Sequence, residues 1–203
     1  MSELARWQSR FAAPGYLFGT APNAFLKSQA ALLKTKAGGK ALTVADGEGR
    51  NGVFLAEQGL DVLAVDFSPL ALDKARALAR QRGVSLNTEE ADLATWKFPA
   101  DEFDVVVGIF FQFTPPDLRR SIFADMKRAL KTGGLLLIQG YRPKQLEYKT
   151  GGPSEVDRLY TREMLEEAFG DLASFKINEH DSVISEGSGH DGMAALIDLV
   201  GRK

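Results

Sequence analysis

Apolar positions along this chain follow two alternating rhythms from about residue 41 onward. Short, nearly continuous apolar runs alternate with stretches whose apolar residues recur every three to four positions. Leu42–Val44, Val62–Val65 and Leu135–Ile138 are runs of the first kind, and Phe103–Phe111 (Phe-Asp-Val-Val-Val-Gly-Ile-Phe-Phe) is the longest. Continuous β-branched character means burial on both faces, which predicts central parallel strands. Residues 84–91 are more polar and are predicted nearer a sheet edge. Between the runs lie helical patterns. Arg50–Glu57 is closed by Gly59, and Ser68-Pro69 supplies an N-cap and a first-turn proline for a helix to Arg82, stopped by Gly83. Pro115-Pro116-Asp117 opens a helix to about Leu130, and Thr161 caps a short one to Ala168. Strands near 174–184 and 193–200 flank Glu186–Gly192, which reads as a hairpin connection.

Strand and helix alternating at this spacing predict an α/β, doubly wound, mostly parallel sheet with a C-terminal antiparallel hairpin. A single domain is expected: a cap over 1–40, a core over 41–140, and a loop, helix and hairpin over 141–203. The first 40 residues are aromatic-rich, and Pro14, Gly15, Gly19 and Pro22 interrupt any long helix before one predicted from Asn23 to Lys36. Residues 11–22 admit two readings, a lid over a pocket or a flap packed on the sheet edge. Ligands of such sheets bind outside the carboxyl ends of the strands.

Composition narrows the chemistry. The 203 residues hold 25 basic and 27 acidic side chains with no basic block, so no nucleic-acid partner is expected. No apolar run reaches membrane-spanning length, and the N-terminus lacks a cationic start with an apolar core, so a soluble cytoplasmic protein is expected. There is no cysteine, which removes disulfides, thiolate metal sites and a cysteine nucleophile; with two histidines, no metal site is expected. The pattern leaves the oligomeric state open.

The chemistry centres on Val-Ala-Asp-Gly-Glu-Gly-Arg-Asn-Gly, residues 44–52, between the first strand and its helix. Glycines there permit left-handed backbone and close approach of a ligand, and the helix start offers free N–H groups. Gly47-Glu48-Gly49-Arg50-Asn51-Gly52 literally matches the G-x-G-x-x-G dinucleotide fingerprint, with Asp66 about 20 residues on. That match alone is weak, and it keeps a nicotinamide-dependent oxidoreductase among the alternatives.

The ordered set decides between them. Ala-Asp-Gly-Glu-Gly, then Ala-Val-Asp-Phe-Ser at 64–68, Ala-Asp-Leu at 91–93, Phe-Asp-Val-Val-Val at 103–107 and Leu-Lys-Thr-Gly-Gly-Leu-Leu-Leu-Ile at 130–138 resembles class I S-adenosylmethionine-dependent methyltransferases. More narrowly, Tyr-Leu-Phe-Gly-Thr-Ala-Pro-Asn at 16–23 and Tyr-Lys-Thr-Gly-Gly-Pro at 148–153 resemble the small bacterial methyltransferases related to the tellurite-resistance and thiopurine enzymes. The resemblance implies a seven-stranded Rossmann-like sheet and S-adenosylmethionine as cofactor. It assigns the first loop to Ala45, Asp46, Gly47, Glu48, Gly49 and Asn51, with Gly47 and Gly49 approaching the methionine and ribose part. Asp66 would accept from both ribose hydroxyls, Phe67 and Ser68 lie along the adenine edge, Asp92 accepts from the adenine amino group and the Leu93 N–H bonds a ring nitrogen. Phe110 lies beside the methyl. The family's first glycine is Ala45 here and its acid two residues earlier is Thr43, so Asp46 is expected to take over the ammonium contact.

The implied reaction is methyl transfer to a small-molecule acceptor by in-line displacement, in which the cofactor carries the chemistry and the protein orients. A soft acceptor (a thiol, or a selenium or tellurium oxyanion) needs little general base, whereas a hydroxyl or amine does. Tyr16, Phe18, Phe111, Phe113 and Tyr141 are the expected substrate-pocket aromatics. His190, on the hairpin loop, is the one base candidate; His180 reads as structural. Gln112 stands where relatives often place histidine. A non-catalytic cofactor-binding protein is the other alternative.

Overall fold

A computed structural model of the chain describes residues 3–34 and 36–203. Seven strands form one sheet in the order β3-β2-β1-β4-β5-β7-β6. They are β1 (Lys40–Val44), β2 (Asp61–Asp66), β3 (Asn87–Glu90), β4 (Phe103–Ile109), β5 (Leu130–Tyr141), β6 (Ser174–Ser185) and β7 (Asp191–Arg202). Strand burial follows that order: β1 and β4 are almost wholly buried, whereas β3 and β6 alternate or lie exposed, as edge strands do. By contact density the residues fall into two compact units, 1–96 with 186–189, and 97–185 with 190–203.

In the first unit β1 pairs parallel with β2, and β2 with β3. The expected helices appear as α4 (Arg50–Glu57) and α5 (Pro69–Arg82), the latter capped by the Ser68 side chain and ended by Gly83 at φ +68°. The N-terminal reading needs correction. A helix α1 (Glu3–Phe11) precedes the breakers, and the single helix expected to Lys36 is two short ones, α2 (Ala24–Ser28) and α3 (Ala30–Lys34); Thr35 lies outside the described residues. The division falls at Gln29, whose N–H reaches back to the Leu26 and Lys27 carbonyls and closes the first helix. Asn23 caps that helix through its side chain, accepting from the Leu26 N–H at 3.0 Å.

In the second unit β4 and β5 are parallel, and β7 runs antiparallel between β5 and β6. The last strand pair is the expected hairpin, with Ser185 opposite Asp191. Strand β5 begins at Leu130, directly after α6 (Pro116–Ala129), rather than at Leu135. Its register against β4 slips between Phe103 and Val105, which absorbs Gly133 at φ +74°. Two further helices, α7 (Gln145–Tyr148) and α8 (Arg162–Phe169), and a 3-10 turn (Val156–Arg158) complete the unit.

Gly49 shows how tightly α4 is seated. Its φ is +89°, and a Cβ there would lie 2.5 Å from the Ala75 Cβ on α5. Gly83 has the same hand of backbone with nothing within 4 Å. Gly49→Ala therefore combines left-handed strain with a clash and is expected to cost about 2–4 kcal/mol, against about 1 kcal/mol for Gly83→Ala. Denaturant unfolding of the two variants checks the ordering.

Candidate functional site

The carboxyl ends of β1 and β2 place Asp46 and Asp66 together in the first unit. Asp66 is buried, and each of its oxygens holds one backbone N–H: Gly47 donates to Oδ2 at 2.9 Å and Ser68 to Oδ1 at 2.9 Å. The carboxylate thus ties the glycine turn after β1 to the entry of α5. An ionised carboxylate has about four acceptor positions, so these backbone bonds do not use up its capacity.

Asp46 turns towards the start of α4. Gly49, in the N-cap position, has no side chain to cap with, and the Asp46 carboxylate supplies the function: the Gly52 N–H donates to it at 3.2 Å. Gly52 must be glycine for this, since a Cβ would lie 2.6 Å from Asp46 Oδ2. The residue keeps some surface, but its carboxylate is enclosed against the helix. Burial pushes Asp46 up to about 7, opposed by the Gly52 N–H and reinforced by the Asp66 charge. Burial likewise raises Asp66 to about 6 against the pull of the Ser68, Gly47 and Phe67 N–H groups. Ala45, between β1 and Asp46, takes φ +51°, the left-handed strain that a glycine would have relieved.

The other loop residues have partners of their own. Glu48, buried, accepts from the Leu17 N–H at 2.6 Å and from Lys74 Nζ at 2.7 Å, and Lys74 also bonds the Ala13 and Gly15 carbonyls. Asn51 Oδ1 accepts from the Asn23 N–H at 3.0 Å. Arg50 forms a buried ion pair with Glu186 at 2.7 Å, and Glu186 also receives Asn23 Nδ2 and the Ala24 N–H. These bonds hold residues 13–24 and the tip of the terminal hairpin on the loop. Over Gly47 itself lies the Phe11 ring, 3.5 Å from where a Cβ would sit, in a stack with Trp7. Tyr16 bonds the Lys74 carbonyl and packs on Val53, Leu78 and Ala79, while the Phe18 ring lies against Gly189. Residues 11–22 therefore pack on α4, α5 and the glycine loop, not on a sheet edge.

Ser68 acts as the α5 cap, and Phe67 beside it is half-buried. Asp92 is exposed at a turn, accepting from the Ala94 N–H at 2.9 Å, and Leu93 is buried.

In the second unit three residues named from distant segments converge. Phe110, at φ +55° after β4, stacks on Tyr141 with centroids 4.7 Å apart and meets His190 edge-on at 4.5 Å; Tyr141 and His190 are 5.7 Å apart. Phe111 goes elsewhere: it is core, against Phe123 and Tyr160, in the space that Gly108 leaves by having no Cβ. Phe113 is half-buried, and its carbonyl accepts from Arg158. Gln112 proves to be a brace. Its Nε2 donates to the Tyr141 carbonyl at 2.9 Å and its Oε1 accepts the Tyr141 N–H at 2.6 Å, fixing the backbone of the cluster. That role carries no signal in sequence. His180 sits in a network, bonded to Ser182 at 2.8 Å and Asp198 at 3.0 Å, with Asp198 in turn accepting from Gln139 at 2.6 Å. Among the described residues no helix is long and apolar enough to cross a membrane, and no group of side chains is arranged to hold a metal ion.

The two raised carboxylates carry a pH signature. A carboxylate with a folded pKa above its unfolded value gives stability that is full below about 4 and is lost as pH rises through the folded values, about 6 and 7. Thermal stability is expected to fall between pH 5 and pH 8. Asp46→Asn keeps an acceptor for Gly52 without the charge, so it should stabilise by about 1–3 kcal/mol at pH 8 and by little at pH 5. Equal effects at both values would contradict the assignment.

Residues 41–134 match the family described as a methyltransferase domain. A glycine/sarcosine N-methyltransferase of Parasynechococcus marenigrum is 35% identical over 114 residues, which are 53% of this chain and 39% of that protein. The chain spans half or less of the length of the curated relatives it matches. Among solved structures, TehB from Haemophilus influenzae superposes with a TM-score of 0.71 at 19% identity, over 91% of this chain and 63% of that one. Magnesium protoporphyrin IX methyltransferase from Synechocystis, with bound S-adenosylhomocysteine, gives 0.67 at 16% identity over 98% and 94%. The chain thus shares its fold with solved methyltransferases, and over residues 41–134 it bears the sequence pattern of a methyltransferase domain.

Proposed function

We propose that the protein is an S-adenosylmethionine-dependent methyltransferase acting on a small molecule. The observation that carries this reading is the Asp66 carboxylate: buried, anchored by backbone N–H groups, and with acceptor capacity left at the glycine turn of a domain with a methyltransferase pattern. A carboxylate of this kind suits the vicinal hydroxyls of a ribose, from which a neutral side chain accepts less strongly. The enclosed carboxyls Asp46 and Asp66 also favour a cationic ligand, and the neighbouring Arg50 is paired with Glu186. Bound, S-adenosylmethionine would supply an activated methyl on a sulfonium. The protein's part is to hold the ribose through Asp66, to present the Gly47–Gly49 backbone, and to exclude water with Phe11 and residues 13–24.

For the acceptor we assign Phe110, Tyr141 and His190, an aromatic cluster with one imidazole. The resemblance of residues 16–23 and 148–153 to the small bacterial tellurite-resistance and thiopurine enzymes supports a soft nucleophile, which the protein would orient without deprotonating.

Calorimetry with S-adenosylhomocysteine should show saturable binding, weakened about tenfold or more in Asp66→Asn, which keeps the side-chain shape. No binding at millimolar concentration would overturn the reading; binding without transfer to any thiol, tellurite, selenite or amine would leave a non-catalytic cofactor-binding protein. His190→Ala separates acceptor classes: transfer to a thiol should fall less than tenfold, whereas an amine or hydroxyl acceptor relying on this base would lose about a hundredfold or more.

A further inference from the structure

On the second unit, away from the Phe110–Tyr141–His190 cluster, a cavity of about 490 Å3 opens between α6 and α8. Its size is that of a small-ligand pocket. Phe123 and Met164 give it apolar walls, and Arg119 lines it while only 5% exposed. A guanidinium stays charged and presents five N–H donors, so burying one without an anion is costly. Arg119 makes a single side-chain hydrogen bond among the described residues, from Nη1 to the Asp157 carbonyl at 2.6 Å. Its Nε is enclosed with no acceptor, and the hydroxyl of Tyr160, whose ring centroid lies 5.9 Å away, is also buried without one.

The other cations lining the cavity differ in this respect. Arg120 is paired with Asp117, and Lys127 with Asp171. No carboxylate pairs with Arg119 among the described residues. Burial draws its pKa down, and Tyr160 and Asp157 oppose this only through space. The N-terminal turn of α8, where Thr161 accepts from the Met164 N–H at 3.2 Å, adds its positive end to the same cavity. Glu163 and Glu167 stand exposed at the rim, and the Glu163 backbone N–H, with the Thr161 hydroxyl, holds the Glu163 carboxyl below its usual range.

We infer that this cavity binds a small organic carboxylate, which accepts hydrogen bonds from the Arg119 guanidinium and rests its apolar body on Phe123 and Met164. One unpaired cation calls for one negative charge, and a planar carboxylate matches the guanidinium fork. The rim glutamates and apolar walls disfavour a bare dianion such as phosphate. The site is separate from the residues assigned to methyl transfer and does not depend on that reading.

The probe is 4-phenylbutyrate, titrated into the full chain by calorimetry, with 4-phenylbutyramide as its neutral counterpart and inorganic phosphate as an anion without an apolar body. Saturable binding of phenylbutyrate is expected, with the amide and phosphate each about tenfold weaker or more. Arg119→Gln should weaken phenylbutyrate to the level of the amide. Ala124→Phe, at an exposed position on the cavity wall, should block it with Arg119 intact, which keeps the test decisive if Arg119→Gln does not fold. Both folded variants should bind S-adenosylhomocysteine as the parent does, so failure here is distinct from failure of the methyltransferase reading. The proposal is overturned if phenylbutyrate shows no saturable binding up to about 10 mM, if amide or phosphate binds as well, or if Ala124→Phe leaves its affinity unchanged.

Discussion

A carboxylate deprived of water yet held by backbone N–H groups sits at the centre of the first unit. Asp66 ends β2, and its two oxygens fix the glycine turn after β1 on one side and the entry of α5 on the other. Neither turn can move without leaving a buried charge short of a donor, which costs more than an ordinary hydrogen bond contributes. Asp46 repeats the arrangement one layer over, capping α4 where the glycine in the cap position has no side chain to offer. Desolvation raises both groups, and the Asp66 charge raises Asp46 further. The same features that order the loop are those on which the proposed cofactor site rests.

The remaining polar residues of the loop join it to chain far away in sequence. Glu48 gathers Leu17 and Lys74, Asn51 takes Asn23, and Arg50 meets Glu186 from the terminal hairpin. Each contact is buried or nearly so, where a pair is screened little and removal of one partner strands the other. The aromatic segment that follows α1 is therefore laid on the glycine loop by specific hydrogen bonds, with Phe11 over Gly47 as its apolar complement.

The second unit builds its aromatic cluster differently. Phe110 adopts left-handed backbone, and Gln112 clamps both polar groups of the Tyr141 main chain, so backbone geometry helps to position the cluster. Gly108 and Gly140 make room on the other side for Phe111 and Tyr160. Adjacent phenylalanines thus take unrelated places, one in the cluster and one in the core.

Much of this was legible in the sequence, for a physical reason. Strand and helix periods, caps and stops are local, so β1, β2, α4, α5, α6 and the terminal hairpin follow from residues within a few positions of one another. The split of the helix expected over 23–36, the length of β5 and the presence of α1 did not follow, because they depend on packing and register against distant segments. Residue type alone also left the roles of Glu48, Asn51 and Gln112 undetermined: a polar side chain can serve a ligand or a backbone, and which it serves is set by the groups that folding brings within 3 Å. The sequence by itself determined the α/β class and singled out the glycine turn after the first strand. Only the tertiary structure decided which carboxylates are desolvated, which cations are paired and which aromatic rings meet, since burial and pairing are properties of neighbours in space.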